Sequence, residues 1–264
     1  MQVIERALIE LPPALAERVR TSWNAFREAG GDASESLLPD LVRVWAASDF
    51  VRQSCVREPA LLRHLIDSGD LDASYGEGGH SRRLVARLEG VADEKSLGVT
   101  LRRFRRQEMV RIAWRDLAGQ SELQEVTGDL SALADACIDH TLDRLYCWQC
   151  EEFGTPGGPN GEAQRMVVLG MGKLGAEELN FSSDVDLIFA FPEDGETRGG
   201  RRSVSNQEFF VRLGQRVVNA LSNVTADGFV FRVDLRLRPF GESSAVALSF
   251  DAMELYYQVH GREW

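Results

Sequence analysis

Gly170-Met171-Gly172-Lys173-Leu174-Gly175, and then Asp184-Val185-Asp186-Leu187-Ile188-Phe189-Ala190-Phe191, decide how this chain folds. Residues 165–170 read as a strand that runs into the glycine turn. A short helix then reaches about Leu179, and residues 184–191 form a second strand. Side chains alternate along a strand with a period of two, so Asp184 and Asp186 share a face. Two like charges held that close repel unless a cation lies between them. Hard oxygen ligands of this kind suit Mg²⁺ or Mn²⁺, ions that serve phosphoryl and nucleotidyl transfer.

Residues 228–237 read as a third strand. On it Phe229, Phe231, Val233, Leu235 and Leu237 point one way, and Val230, Arg232, Asp234, Arg236 and Arg238 the other. One face is core; the other is a carboxylate among guanidinium groups. If this strand neighbours the second, Asp234 joins Asp184 and Asp186 to hold a pair of metal ions, with Arg232, Arg236 and Arg238 available to grip phosphate oxygens. The plainer alternative is three unrelated surface acids in local ion pairs.

The spacing Gly170-x-Gly172-x-x-Gly175 matches the dinucleotide fingerprint literally. That fingerprint needs a full crossover helix and an acid about 20 residues on. Here the next strand begins almost at once, with its acids at its start. A Walker loop fails as well, because Leu174 follows Lys173. What remains is a tight turn whose backbone N–H groups, around Gly170 and Gly172, approach a nucleotide phosphate. Lys173 either adds charge there or is a solvated turn lysine. Ser182 and Ser183 either hydrogen-bond a substrate phosphate or, the preferred reading, tie the turn locally.

Ahead of this region the pattern is helical, over 14–29, 39–47, 59–68, 101–118 and 130–152. Pro39 and Pro59 occupy tolerated first-turn positions. The segment from Phe153 to Gly161 reads as a linker by composition. Ser205, with Glu208 three residues on, opens a helix to about Asn223 through a capping box. Another helix starts at Asp251, and the abrupt stop at Trp264 reads as truncation.

With 44% hydrophobic and 27% charged residues the chain can bury a real core, and its net charge of -11 argues against a nucleic acid-coating protein. No apolar run is long enough to span a membrane and no signal-peptide h-region opens the chain, so a cytoplasmic protein is expected. Cys147-Trp148-Gln149-Cys150 matches C-x-x-C, but no second pair or His set completes a zinc site and no strand precedes it. Arg102, Arg103, Arg105, Arg106, Arg111 and Arg115 make a basic cluster, read either as a solvated face or as contact with an acidic partner or nucleotide tail.

The glycine run with Glu178-Leu179-Asn180, Ser183-Asp184-Val185-Asp186-Leu187 and Asp234-Leu235-Arg236-Leu237-Arg238-Pro239-Phe240-Gly241 resembles the bifunctional glutamine synthetase adenylyltransferase/adenylyl-removing enzyme family. Residues 101–117 are similar to that family's helical N-terminal segment. The family carries two nucleotidyltransferase-like domains. The N-terminal copy removes AMP from a glutamine synthetase tyrosine by phosphorolysis, releasing ADP, and the C-terminal copy attaches AMP from ATP. This chain resembles the N-terminal copy.

The resemblance implies an α+β protein with a helical region over 1–153, a linker over 154–162 and a nucleotidyltransferase-fold domain over 163–264. That domain would have a small mixed sheet and be incomplete at its C-terminus. It implies Asp184, Asp186 and Asp234 as catalytic metal ligands for Mg²⁺, with Mn²⁺ an alternative. Beside them, read from the residues themselves, Gly170, Gly172, Lys173, Ser182, Ser183, Arg232, Arg236 and Arg238 are candidates to bind nucleotide or phosphate. The implied partners are adenylylated glutamine synthetase, a PII-type nitrogen signal protein, ADP or ATP, and phosphate, with no nucleic acid and no membrane. Two alternatives stand beside phosphorolysis: AMP transfer from ATP, and a non-catalytic partner-binding fragment. The chain has Gly175-Ala176 where the family usually has Gly-Gly, and Ser243-Ser244 where it commonly has Ser-Gly, which leaves the loop conformations open.

Overall fold

The computed structural model describes residues 2–261. They gather into two compact units, one of residues up to 77 with 104–130, the other of 78–103 with 131 onward. The chain is α+β, as expected.

The first unit opens with α1 (Gln2–Leu8), α2 (Pro13–Glu28), α3 (Leu38–Ala47), α4 (Asp49–Arg57) and α5 (Pro59–Asp67). Proline stands in the first turn of α2, α3 and α5, where a missing N–H costs nothing. Ser48 caps α4 by accepting the Val51 N–H at 3.3 Å. Trp23, Phe26 and Trp45 pack together in the core, the last two edge-on at 5.5 Å between ring centres. α6 (Gly79–Arg87) belongs to the second unit. α7 (Glu94–Leu117) starts there and ends in the first, and α8 (Leu123–Phe153) does the reverse.

The basic cluster on α7 follows neither expected reading at three of its positions, because Arg102, Arg111 and Arg115 are buried. Arg111 is fully enclosed. It donates to Glu108 at 3.1 Å and to Asp129, and lies 3.6 Å over the Tyr75 ring. Arg115 donates to Glu125 and to the Leu71 carbonyl. These guanidiniums are structural cations with acids and carbonyls folded around them. The C-x-x-C pair lies within α8 as free thiols, Cys147 exposed and Cys150 half-buried. Burial raises the Cys150 pKa, opposite to what a reactive thiol needs.

The second unit carries the strands β1 (Gly154–Pro156), β2 (Val167–Met171), β3 (Val185–Phe191), β4 (Thr197–Gly199), β5 (Val233–Asp234) and β6 (Ala247–Ser249). Between them lie α9 (Gly172–Gly175) and α10 (Asn206–Ser222), and α11 (Phe250–His260) follows β6. The main sheet is small and mixed. β2 pairs antiparallel with β3, while β5 and β6 both run parallel to β3. α10 lays Phe209, Phe210, Leu213, Val217 and Leu221 onto the core, with Phe210 stacked on Phe191 of β3 at 4.9 Å. Among the described residues no helix is long and apolar enough to cross a membrane.

Several local expectations change. The glycine- and proline-rich stretch 154–162 holds β1, which pairs with β4 from Gly154↔Gly199 to Pro156↔Thr197. Its composition serves close backbone approach: a Cβ on Gly154 would lie 2.4 Å from the Arg198 carbonyl oxygen. The helix after the glycine turn stops at Gly175, well short of Leu179. The long third strand is not formed. Thr225 and Gly228 close a turn, and the Val230 and Phe231 N–H groups both donate to the Leu221 carbonyl. Only Val233 and Asp234 pair as β5, so the expected alternation fails at its ends: Val230 is buried and Leu237 is exposed.

Ser205 does cap α10, accepting the Glu208 N–H at 3.1 Å. The reciprocal half of the capping box is absent, because the Glu208 carboxylate takes Arg212 instead. Ser205→Ala should lower the stability of this unit by about 1 kcal/mol, seen as an earlier urea midpoint with unchanged slope.

Candidate active site

β3 is apolar and buried at every position but Asp186. Phe189 and Phe191 point to the α10 side, so Asp186 and, beyond the strand's start, Asp184 emerge on the opposite face. β5 joins β3 in parallel with Asp186 directly beside Asp234. Residues so paired carry their side chains on one face. A hydrogen bond from the Val185 N–H to the Arg232 carbonyl, 2.9 Å, extends this register by one residue. Three acids from two distant segments are thereby brought to one sheet edge.

The electrostatics agree with that closeness. Burial raises the Asp186 pKa, and Asp234 and then Asp184 raise it further, while Arg236 opposes them. Asp234 is held below the ordinary carboxylate range, chiefly by the Arg236 side chain and then by the Arg236 N–H, 2.8 Å from its Oδ1. Arg236 Nε also reaches Asp234 Oδ2 at 2.7 Å. Arg232 clamps the other side, donating to Asp184 and to the Ser182 carbonyl. Arg238 turns away: its guanidinium donates to the Leu235 carbonyl at 2.8 Å, within its own turn.

The glycine turn closes the site from β2. Met171 pairs opposite Asp186, and Gly170 opposite Leu187. Gly172 takes φ +55°, and a Cβ there would stand 2.9 Å from Asp186 Oδ2. Gly175 is needed for a second reason, since a Cβ on it would meet the Gly170 carbonyl oxygen at 2.5 Å. Gly172→Ala should therefore cost about 1–2 kcal/mol in backbone strain and also push the Asp186 carboxylate aside. A melting curve reads the first effect and the rate of any metal-dependent turnover the second.

Ser182 and Ser183 make local hydrogen bonds within the turn. The Asn180 side-chain oxygen accepts from the Ser182 N–H at 3.2 Å and from the Ser183 hydroxyl at 2.8 Å. Lys173 Nζ lies 3.5 Å from that same hydroxyl. Sequence reasoning missed Asn180 as the organiser of this turn, although its place two residues before Ser182 is the signature of an Asx turn.

As the side chains stand, no three His, Cys, Asp or Glu groups among the described residues converge on a metal position. The cause is visible: Asp184 and Asp234 are each turned to an arginine. The donor chemistry nonetheless fits a hard divalent cation, with three carboxylates on one face and one of them raised by burial and then by its neighbours. The Arg232–Asp184 pair is about half exposed on both sides, and such pairs are worth about 0–1 kcal/mol.

The sequence profile of the glutamate-ammonia ligase adenylyltransferase family matches residues 38–264. The chain belongs to this family. The bifunctional glutamine synthetase adenylyltransferase/adenylyl-removing enzyme of Pseudomonas aeruginosa is 52% identical over 98% of the chain and 28% of its own length. The proteins of the same name from Nitrosococcus oceani and Pseudomonas syringae pv. tomato are 48% and 54% identical over 97% and 95% of the chain. The chain thus spans about a quarter of the length of these curated relatives, 25–28%. It joins a nucleotidyltransferase family whose members are named for glutamine synthetase as substrate.

Proposed function

We propose that this chain carries the adenylyl-removing site, which takes AMP off an adenylylated glutamine synthetase tyrosine by phosphorolysis and releases ADP. The observation that carries the reading is the Asp186–Asp234 register pair beside Asp184, in a chain of this family. Residues 163–264 would form the nucleotidyltransferase-like portion, with 1–153 as a helical region ahead of it.

In the reaction an oxygen of inorganic phosphate forms a bond to the adenylyl phosphorus as the bond from phosphorus to the tyrosine oxygen breaks. The products are ADP and the free tyrosine side chain. Phosphate is already anionic and nucleophilic, so the demand is for charge neutralisation and alignment more than for a strong base. Asp184, Asp186 and Asp234 would hold Mg²⁺, with Mn²⁺ as its substitute. A bound divalent ion supplies charge stabilisation to the attacking and leaving oxygens. Arg232 and Arg236, released from their carboxylates, would take phosphate oxygens in bidentate fashion. Gly172 keeps the turn low enough to admit the adenylate beside Asp186. Arg238 contributes by shaping its turn. A PII-type signal protein as regulator and a cytoplasmic setting belong to the same reading.

The experiment is a product assay. Adenylylated glutamine synthetase is incubated with the chain, phosphate and Mg²⁺, and ADP is measured. ADP that depends on both phosphate and metal supports the reading. Pyrophosphate formed from ATP and unmodified glutamine synthetase, without ADP release, assigns the opposite activity and overturns it.

A further inference from the structure

Arg102, on α7, is only 6% exposed and donates from Nε to the Gly228 carbonyl at 3.0 Å and from a terminal nitrogen to the Asn223 carbonyl at 2.9 Å. Both acceptors are more than a hundred residues away in sequence. Asn223 is the C-cap of α10, where the last carbonyls lack helical partners and the helix dipole favours a cation. Burial lowers the Arg102 pKa, and the Asp227 carboxylate opposes this. A guanidinium is charged at any ordinary pH, so a cation sits at a helix end and turn that attract it.

The path from that turn to the acids is short. Thr225 and Gly228 exchange hydrogen bonds at 2.9 Å. The next N–H groups, of Val230 and Phe231, fasten to the Leu221 carbonyl, and the Arg232 carbonyl then accepts from Val185 of β3. Asp234 follows two residues later. Between Asn223 and Arg232 the chain has no regular element of its own, so its course depends on such ties. Room for the guanidinium comes from Gly98, one turn earlier on α7: a Cβ there would lie 2.6 Å from Arg102 Nη1, while Nη2, the donor to Asn223, is 3.8 Å away.

We propose that Arg102, seated in the space left by Gly98, is a positioning residue that fixes the 223–228 turn and so sets where β5 presents Asp234 and Arg232 beside Asp184 and Asp186. Its effect on turnover rests on the phosphorolysis reading above; its effect on the strand does not.

Gly98→Ala is a conservative probe. It keeps every charge and replaces glycine with a better helix former, so α7 itself is not weakened, and its methyl presses only on Nη1, so its effect should be smaller than that of removing the guanidinium. Arg102→Ala and Arg102→Lys accompany it. Hydrogen exchange on the 264-residue chain should show amides of 225–234 exchanging about tenfold or more faster in Arg102→Ala, with the interior of α10 unchanged and Gly98→Ala and Arg102→Lys intermediate. Mn²⁺ titration followed by electron paramagnetic resonance should show about tenfold weaker binding in the same order. In the ADP-release assay kcat should fall while KM for adenylylated glutamine synthetase stays within about twofold. Unchanged exchange over 225–234, or equal acceleration throughout the second unit, overturns the proposal. If the wild-type chain releases no ADP, the phosphorolysis reading fails, while the exchange and Mn²⁺ results still decide the role of Arg102.

Discussion

Asp184→Asn combined with Asp186→Asn is expected to reduce ADP release from adenylylated glutamine synthetase by about 1000-fold or more, the scale on which loss of oriented transition-state charge is felt. Both changes preserve side-chain volume, and both positions lie at the open end of β3, so the fold should persist. Asp186 is expected to become easier to bury, because its carboxylate is the one raised by burial and by its two neighbours. The double variant should therefore melt no earlier than wild type. The pairing of that result with lost turnover separates a catalytic role from a structural one. The same substitutions at matching positions of the full-length Pseudomonas aeruginosa relative give the assay in its natural setting. Undiminished ADP release from either protein would show that these acids do not carry the reaction.

The second large effect concerns stability. Arg111 is enclosed with Glu108 and Asp129, whose side chains are 0% and 10% exposed. Replacing it with Met leaves these carboxylates without their shared cation inside the first unit, and should cost about 3–5 kcal/mol. A buried network of this kind is not necessarily a net source of stability, because taking the charges out of water is expensive. Changing Arg111, Glu108 and Asp129 together to Met or Leu should thus recover most of the loss. Urea unfolding followed by far-UV circular dichroism would measure both, with the first unit's transition expected to separate from the second's in the single variant. A single variant as stable as wild type would mean that water reaches these acids.

The helices were the most legible part of the chain, for reasons visible in single residues. Gly30 and Gly31 marked the end of α2, proline in the first turn marked α3 and α5, and the apolar face of 101–118 marked most of α7. α7 nevertheless begins at Glu94, and α1, α4 and α6 went unforeseen. They are seven, nine and nine residues long, too short for a sustained period to stand out. Burial of Arg102, Arg111 and Arg115 was not readable, since a guanidinium on a helix gives no sign of whether an acid or a carbonyl waits for it in the fold.

In the candidate site the acids were legible because Asp184 and Asp186 interrupt an otherwise apolar run. The neighbourhood of Asp234 and Asp186 was stated as a condition, and the parallel register meets it. The full third strand was misread because period-two alternation over 229–238 looks alike whether the backbone extends or turns. The carbonyl of Leu221, which draws Val230 and Phe231 inward, lies on another element. The ion pairs Arg232–Asp184 and Arg236–Asp234 were likewise invisible: those arginines were expected to face phosphate, and the pattern gives no sign of which carboxylate each one meets in the fold.

The most direct measurement is a crystal structure of the chain with Mn²⁺ and ADP, with the metal located by its anomalous scattering. Mn²⁺ is expected to be bound by oxygens of Asp184, Asp186 and Asp234, with Arg232 and Arg236 swung onto phosphate oxygens. Mn²⁺ and ADP bound elsewhere, with both arginines still on their carboxylates, would contradict that expectation.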